Sequence, residues 1–130
     1  MYRILPIAPL ALLFAAACDP LSPEERQQRL HLPKAGYKAD ATQGKIKFEQ
    51  YCIGCHGPDA GGSAQGPPLV HTVYQPKRHA NMAFHFAVRN GVVQHHWSFG
   101  SMPKIEGVTA EEVADITAYV RQLQRKAGIQ

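Results

Sequence analysis

Two cysteines and a histidine stand together at a spacing that could hold a metal-containing cofactor, in the run Cys52-Ile53-Gly54-Cys55-His56. This C-x-x-C-H pattern is the attachment signature of c-type haem. Each thiol can form a thioether with one vinyl group of the porphyrin, and the histidine is then held under the iron, where an imidazole nitrogen can bind. The sequence therefore predicts one covalently attached haem c, held by Cys52 and Cys55, with His56 as an iron ligand.

A dithiol redox pair, a structural disulfide and a zinc site can use similarly spaced cysteines. A thioredoxin-like pair requires a βαβ context, and no strand-rich segment flanks Cys52. Zinc requires further thiolates or a second paired motif, whereas the only other cysteine, Cys18, lies in a region with the features of an export signal. The catalytic signatures H-E-x-x-H and G-x-x-x-x-G-K-[ST] are absent. Haem attachment is the interpretation that these features favour.

Helices and long loops must position this motif. Capping residues, apolar spacing and glycine stops predict helices at Ala41–Tyr51, at about Arg78–Asn90, and from the Thr109 cap to Gly128. Two stretches between them, Gly57–Lys77 and Val92–Val108, are predicted to be long loops. A domain of about 88 residues with so thin an apolar core needs a staple or a cofactor in that core. We therefore predict an all-α fold over residues 40–130, with about three helices wrapped around one haem.

The composition excludes some classes of protein. Of the 130 residues, 45% are hydrophobic, which excludes wholesale disorder, and three cysteines are too few for a disulfide scaffold. The formal net charge of +4 is mild and evenly spread, so it does not indicate a nucleic-acid partner.

The N-terminus has the features of an export signal. Arg3 precedes an apolar run, Ile4–Ala17, whose helical length of roughly 21 Å is short of the ~30 Å hydrocarbon core. Cys18 follows a run of small residues that resembles the lipobox of bacterial lipoproteins, although Ala15 stands where leucine is more usual. We expect residues 1–17 to be a signal peptide and Cys18 to be the lipidated first residue of the mature chain.

Residues 18–39 are predicted to form a tether. They contain three prolines, several charges and few large apolar side chains, with a short helical piece expected at Glu24–Leu30. As a coil, such a segment would span roughly 25–30 Å. A membrane-anchored domain could then reach a partner beside it. Without lipidation, a cut after Ala17 would leave the same mature chain in the periplasm.

Further residues surround the haem signature in a recognisable order. Gly44 and Phe48 precede it, Gly66-Pro67-Pro68-Leu69 follows it, Gly100-Ser101-Met102-Pro103 comes just before the last helix, and Tyr119 lies on that helix. In these features the chain from about Asp40 to Leu123 resembles the class I c-type cytochromes, which are small monohaem electron carriers. The resemblance implies the cytochrome c fold, in which Tyr119 packs across the glycine of the first helix.

The resemblance also implies a ligand set. The Pro67 carbonyl would accept a hydrogen bond from the His56 imidazole and raise its basicity. Met102 would be the sixth iron ligand, with His95 or His96 as the alternative. Trp97 could donate its indole N–H to a haem propionate or simply pack against the porphyrin.

A cytochrome of this kind would carry single electrons between redox protein partners, a respiratory donor and a terminal oxidase or reductase. We expect it on the periplasmic side of a bacterial membrane, attached through Cys18, and not to be an enzyme. A haem-bearing accessory subunit of a larger complex is one alternative. A haem sensor or small peroxidase is another, and it requires an open or labile sixth position on the iron.

Overall fold

The fold is known from a computed structural model that describes residues 21–130, so the predicted signal peptide and Cys18 lie outside the described residues. The helices are α1 (Pro23–Leu30), α2 (Ala41–Tyr51), α3 (Ile53–His56), α4 (Asn81–Asn90) and α5 (Ala110–Lys126). Single 3₁₀ turns lie at Pro58–Ala60 and Thr72–Tyr74. Within residues 21–130 there is no β-strand, only one antiparallel bridge between Val92 and Met102. The predicted all-α fold is confirmed.

None of the helices in the described part of the chain is long and apolar enough to cross a membrane.

Side-chain caps begin the two longest helices where the sequence predicts them. The Asp40 carboxylate accepts a hydrogen bond from the Thr42 N–H at 2.7 Å, which starts α2. At the start of α5, Thr109 and Glu112 form a reciprocal capping box, with N–H···O distances of 3.2 and 2.8 Å.

The start of α4 differs from the prediction. The helix begins at Asn81 rather than Arg78, because the preceding residues form a separate turn. The N–H groups of Arg78 and His79 both donate to the Gln75 carbonyl at 2.9 Å. The His79 carbonyl accepts a hydrogen bond from the Arg121 guanidinium of α5.

The core lies where α2 crosses α5. Gly44 is buried at the crossing, and a Cβ added there would stand 1.9 Å from the Asp115 carbonyl oxygen. The nearest atoms to Gly44 therefore belong to the α5 backbone. Tyr119, expected across this glycine, packs its ring against Phe48 with centroids 5.6 Å apart. The fully buried side chains of Phe48, Val113 and Val120 fill the space around the crossing.

Polar side chains of α5 hold the first long loop. The Tyr119 hydroxyl donates to the Asp59 carboxylate at 3.0 Å. The Gln124 amide donates to the Leu69 carbonyl at 2.7 Å, and Arg121 donates to the Tyr74 carbonyl at 2.6 Å. Contacts within the protein therefore hold this loop in place, in addition to the predicted cofactor.

The segment before α2 also contacts the helical domain. The His85 ring donates from Nδ1 to the His31 carbonyl at 2.6 Å, and the Tyr37 hydroxyl donates to the Asp115 carboxylate at 2.9 Å. The Asp40 N–H donates to the same carboxylate at 2.8 Å. These contacts shorten the part of residues 18–39 that could act as a free tether.

Candidate haem-binding site

The cysteine pair lies where α2 ends and the short helix α3 begins. Cys52 is half-buried and stands at the turn, whereas Cys55 is exposed within α3. The two sulfurs are not joined in a disulfide. Burial, with a smaller effect of the neighbouring Cys55, raises the pKa of the Cys52 thiol to about 11. A redox-active dithiol needs a lowered thiol pKa, so this environment does not favour a dithiol redox pair.

His56 ends α3 and is buried, with 9% of its surface exposed. Its Nδ1 lies 2.8 Å from the Pro67 carbonyl oxygen. A carbonyl can only accept, so Nδ1 carries the proton, and Nε2 is left with the lone pair that could bind a metal. Burial lowers the pKa of His56, while the bond to Pro67 opposes that change. The imidazole is therefore oriented and neutral, which is the form that a metal ligand requires.

A close backbone approach brings Pro67 to His56. A Cβ on Gly66 would stand 2.8 Å from the Cys55 carbonyl oxygen. The Ser63 hydroxyl donates to the same carbonyl at 2.6 Å. The loop can therefore lie directly against α3 only because residue 66 lacks a side chain.

One cavity of about 380 Å³ adjoins these residues. Of the predicted site residues, it is lined by Cys52, His56, Pro67, Trp97 and Met102, while Cys55 is not part of the lining. Most of the other lining side chains are apolar, including Leu69, Phe84, Val88, Val113 and Ile116. This volume falls within the range of about 300–1,000 Å³ that is usual for ligand pockets.

Met102 is placed in the cavity by its backbone. It exchanges two N–H···O hydrogen bonds with Val92, each of 2.9 Å. Gly91 has φ +73°, and a Cβ there would stand 2.6 Å from the Met102 carbonyl oxygen. A glycine is thus needed both to end α4 and to admit the Met102 segment. The other methionine of the described chain, Met82, is 42% exposed and does not line the cavity.

Trp97 presents an unpaired donor at the cavity. Its Nε1 is buried and makes no hydrogen bond. Burial raises the pKa of Tyr74, and the nearby Trp97 indole opposes that rise. The two groups do not have the geometry of a hydrogen bond, so the indole N–H remains without a partner. An orphaned N–H beside an apolar cavity is what a haem propionate would satisfy. With the free His56 nitrogen and the apolar walls, this shows that the residues present fit a haem.

His95 and His96 are exposed at the edge of the cavity. The His95 ring donates from Nδ1 to the Val93 carbonyl at 2.8 Å. Partial desolvation, with the neighbouring charges of His95, His79 and Arg78, lowers the pKa of His96. Both alternative iron ligands therefore stand at the rim, while Met102 is half-buried.

Several residues that build the site are not evident from the sequence. Asp115, Arg121 and Gln124 are buried polar side chains on α5, and His79 joins the other two histidines at the cavity. For the three α5 residues, the one available signal is their position on the same helix as an apolar stripe. That signal does not say which loop each side chain would reach.

The model of the cytochrome c family matches residues 41–124, which is more than half of the chain. Among solved structures, the chain is similar to cytochrome cL from the marine methylotrophic bacterium Methylophaga aminisulfidivorans. The two share 24% identity over 87% of this chain and 73% of that one, with a TM-score of 0.47. No curated protein matches. The family match includes the complete C-x-x-C-H motif, and the chain therefore belongs to the cytochrome c family of electron carriers that hold a covalently attached haem c.

Proposed function

We propose that this cytochrome is exported and carries single electrons between a respiratory donor and a terminal oxidase or reductase at the periplasmic side of a bacterial membrane. The supporting observation is that His56 and Met102 line one apolar cavity, with the His56 ring bonded to the Pro67 carbonyl and the Met102 backbone bonded to Val92. The two side chains could then both hold the iron of a bound haem. A carrier needs such a closed site, whereas an enzyme or a sensor needs an open or labile one.

Each site residue has a distinct role in this proposal. Cys52 and Cys55 would provide the thioether attachments, His56 Nε2 and the Met102 thioether would hold the iron, and the Trp97 N–H would donate to a propionate. When bound, the haem c supplies an iron that gains or loses one electron. The Pro67 carbonyl keeps the His56 ring in one orientation and one tautomer. The apolar walls exclude water, which with methionine–histidine ligation favours a relatively high potential.

Basic side chains are the proposed docking surface for acidic redox partners. Six candidates are spread along the chain: Lys45, Lys47, Lys77, Arg78, Arg89 and Lys104. Three of them pair with Glu49, Glu112 and Glu106 at 3.9, 2.6 and 2.6 Å. Within residues 21–130, Lys77, Arg78 and Arg89 make no ion pair, so these three are the stronger candidates to meet a partner.

Carbon monoxide binding tests the closed site. Ferrous wild-type protein should not bind carbon monoxide at neutral pH, whereas Met102→Ala should bind it because one axial position is open. Met82→Ala is the matched control, since Met82 lies on α4 outside the cavity, and it should behave as the wild type. Ready binding by the wild type would instead support a sensor or small peroxidase. An unchanged spectrum in Met102→Ala would indicate His95 or His96 as the ligand.

Covalent attachment has its own test. Acid–acetone extraction should leave the colour on the protein if Cys52 and Cys55 form thioethers. Loss of the pigment into the solvent would contradict the assignment.

Membrane attachment through Cys18 is part of the proposal and is tested separately. Mass spectrometry of the mature N-terminus should show added acyl mass, and Cys18→Ala should become soluble in the periplasm. A variant that stayed with the membrane would place the anchor elsewhere. Purification of the wild type with stoichiometric partner subunits would favour the accessory-subunit alternative over a free carrier.

A further inference from the structure

Three histidines other than His56 converge at one edge of the cavity. His79 precedes α4, while His95 and His96 lie in the loop that follows it. One ring nitrogen from each lies within 4.8 Å of the other two. We propose that His79, His95 and His96 form a second metal site, separate from the haem iron, that binds a divalent transition metal such as Zn²⁺.

The distances are close to those a bound ion requires. Nitrogens about 2.0–2.1 Å from a tetrahedral Zn²⁺ stand about 3.3 Å apart. The observed separations exceed this by at most about 1.5 Å, a difference that small movements of the exposed His95 and His96 side chains can remove. The His96 ring lies between the others, with centroids 4.1 Å from His95 and 5.2 Å from His79. Small side-chain movements would therefore complete the site.

The hydrogen bonds of two of these rings are those of metal-binding histidines. His79 Nδ1 lies 2.8 Å from the Val73 carbonyl oxygen, and His95 Nδ1 lies 2.8 Å from that of Val93. Each carbonyl fixes the proton on Nδ1, which leaves Nε2 with a free lone pair. Metal-binding histidines are usually oriented by such a bond from the second ring nitrogen. Two of the three ligands are thus held in the tautomer that binding requires.

Ligand type and access define which ion the site would take. Three imidazoles without a carboxylate suit Zn²⁺, Cu²⁺ or Ni²⁺ and not the oxygen-preferring Mg²⁺ or Ca²⁺. His95 and His96 are exposed, so an ion can enter and water can take a fourth position. The exposed cation Arg78 is adjacent to His79 in the chain and opposes binding of a positive ion. We therefore expect an exchangeable site rather than a permanently filled one.

The second site is compatible with the proposed ligand set but does not depend on it. If His95 and His96 bind a separate ion, neither is available to the haem iron, and Met102 remains the sixth ligand. The two assignments are tested by different signals. Zinc binding is measured by calorimetry, and iron ligation is measured by the absorption spectrum.

Isothermal titration of the haem-loaded protein with zinc chloride tests the proposal. We expect one Zn²⁺ per chain and no change in the haem absorption bands. His95→Ala and His96→Ala, both on an exposed loop, should each weaken binding at least about tenfold, because even outer-shell partners contribute this much. His79→Ala should do the same, but the two loop variants suffice if it fails to fold.

His71→Asn is the matched control. His71 packs against Trp97 at 5.0 Å, outside the trio, and asparagine keeps an acceptor for the Val73 N–H. It should bind Zn²⁺ as the wild type does. The proposal is overturned if His95→Ala and His96→Ala bind Zn²⁺ normally, or if His71→Asn weakens binding equally. If ferrous His96→Ala gained carbon monoxide binding, His96 would be the iron ligand, which would refute both this site and the Met102 assignment.

Discussion

Gly44→Ala should destabilise the protein by a calculable amount, because the α2–α5 crossing leaves no space for a methyl group. The added Cβ would stand 1.9 Å from the Asp115 carbonyl oxygen and 2.4 Å from its carbon. Both atoms belong to the backbone of α5, so no side-chain rotation can relieve the overlap. The two helices must move apart.

The size of the effect follows from two opposing contributions. Ordinary van der Waals contact begins at 3.4 Å, so the backbones must separate by about 1.5 Å. Overpacking a core typically costs about 1–3 kcal/mol and sometimes more, while alanine gains about 1 kcal/mol over glycine in a helix interior. A backbone clash of this depth lies at or above the upper end, at about 3–4 kcal/mol, so we expect a net loss of about 2–3 kcal/mol. For a domain of this size, that corresponds to a Tm lower by about 10–20 °C.

Thermal unfolding of the haem-loaded ferric proteins, followed by circular dichroism at a helical wavelength, measures the difference. Gly54→Ala is the matched control, since Gly54 is also helical but has no atom within 4 Å of an added Cβ. It should be neutral or slightly stabilising. A Tm for Gly44→Ala within two degrees of the wild type would refute the close crossing. An equal loss in Gly54→Ala would show that glycine replacement near the motif is harmful for another reason.

Three further predictions concern the supports of the site. Arg121→Lys should reduce the free energy of unfolding by about 2–4 kcal/mol in a denaturant titration, because lysine cannot replace the guanidinium's hydrogen bonds to two loop carbonyls; an unchanged midpoint would contradict this. The bond to Lys47 holds the pKa of Glu112 below its ordinary 4.5, so its stabilisation is present above that value and lost as the pH falls. The stability gap between wild type and Glu112→Gln should therefore narrow from about pH 5 to about pH 3, and a constant gap would count against the ion pair. Trp97→Phe should lower the midpoint potential, since a less shielded propionate favours ferric iron; an unchanged potential would leave Trp97 a packing role alone.

Local signals were sufficient to predict the start of α2 and the start of α5. The side chains of Asp40 and Thr109 bond to backbone groups two and three residues further along the chain, so these caps can be predicted from the local sequence. The start of α4 could not be predicted in this way. The carbonyl of His79 is bonded by Arg121, a residue 42 positions away, and no local pattern reports such a contact. The α5 residue that crosses Gly44 could not be predicted either. The close contact is with a backbone atom of α5, which any residue type could supply.

The candidate site also combines features that depend on the local sequence with features that depend on long-range contacts. The C-x-x-C-H motif is local and can be read from five consecutive residues, which the structure places at the α2–α3 junction. The trio of histidines depends on how one loop folds back over another, so the sequence showed only that two of its members were adjacent. The second histidine group therefore became visible only in three dimensions.

The long loop after His56 changes the interpretation of the cofactor's structural role. The sequence alone predicts that the loop of about 20 residues after His56 has no regular structure and needs a haem to organise it. In the structure, Arg121, Gln124 and Tyr119 already bind that loop from α5, and Pro67 lies at His56 through a bond that involves only protein atoms. The His56 imidazole is thus oriented by protein atoms alone. In the proposed function this imidazole binds the haem iron, and its orientation would then not depend on the cofactor.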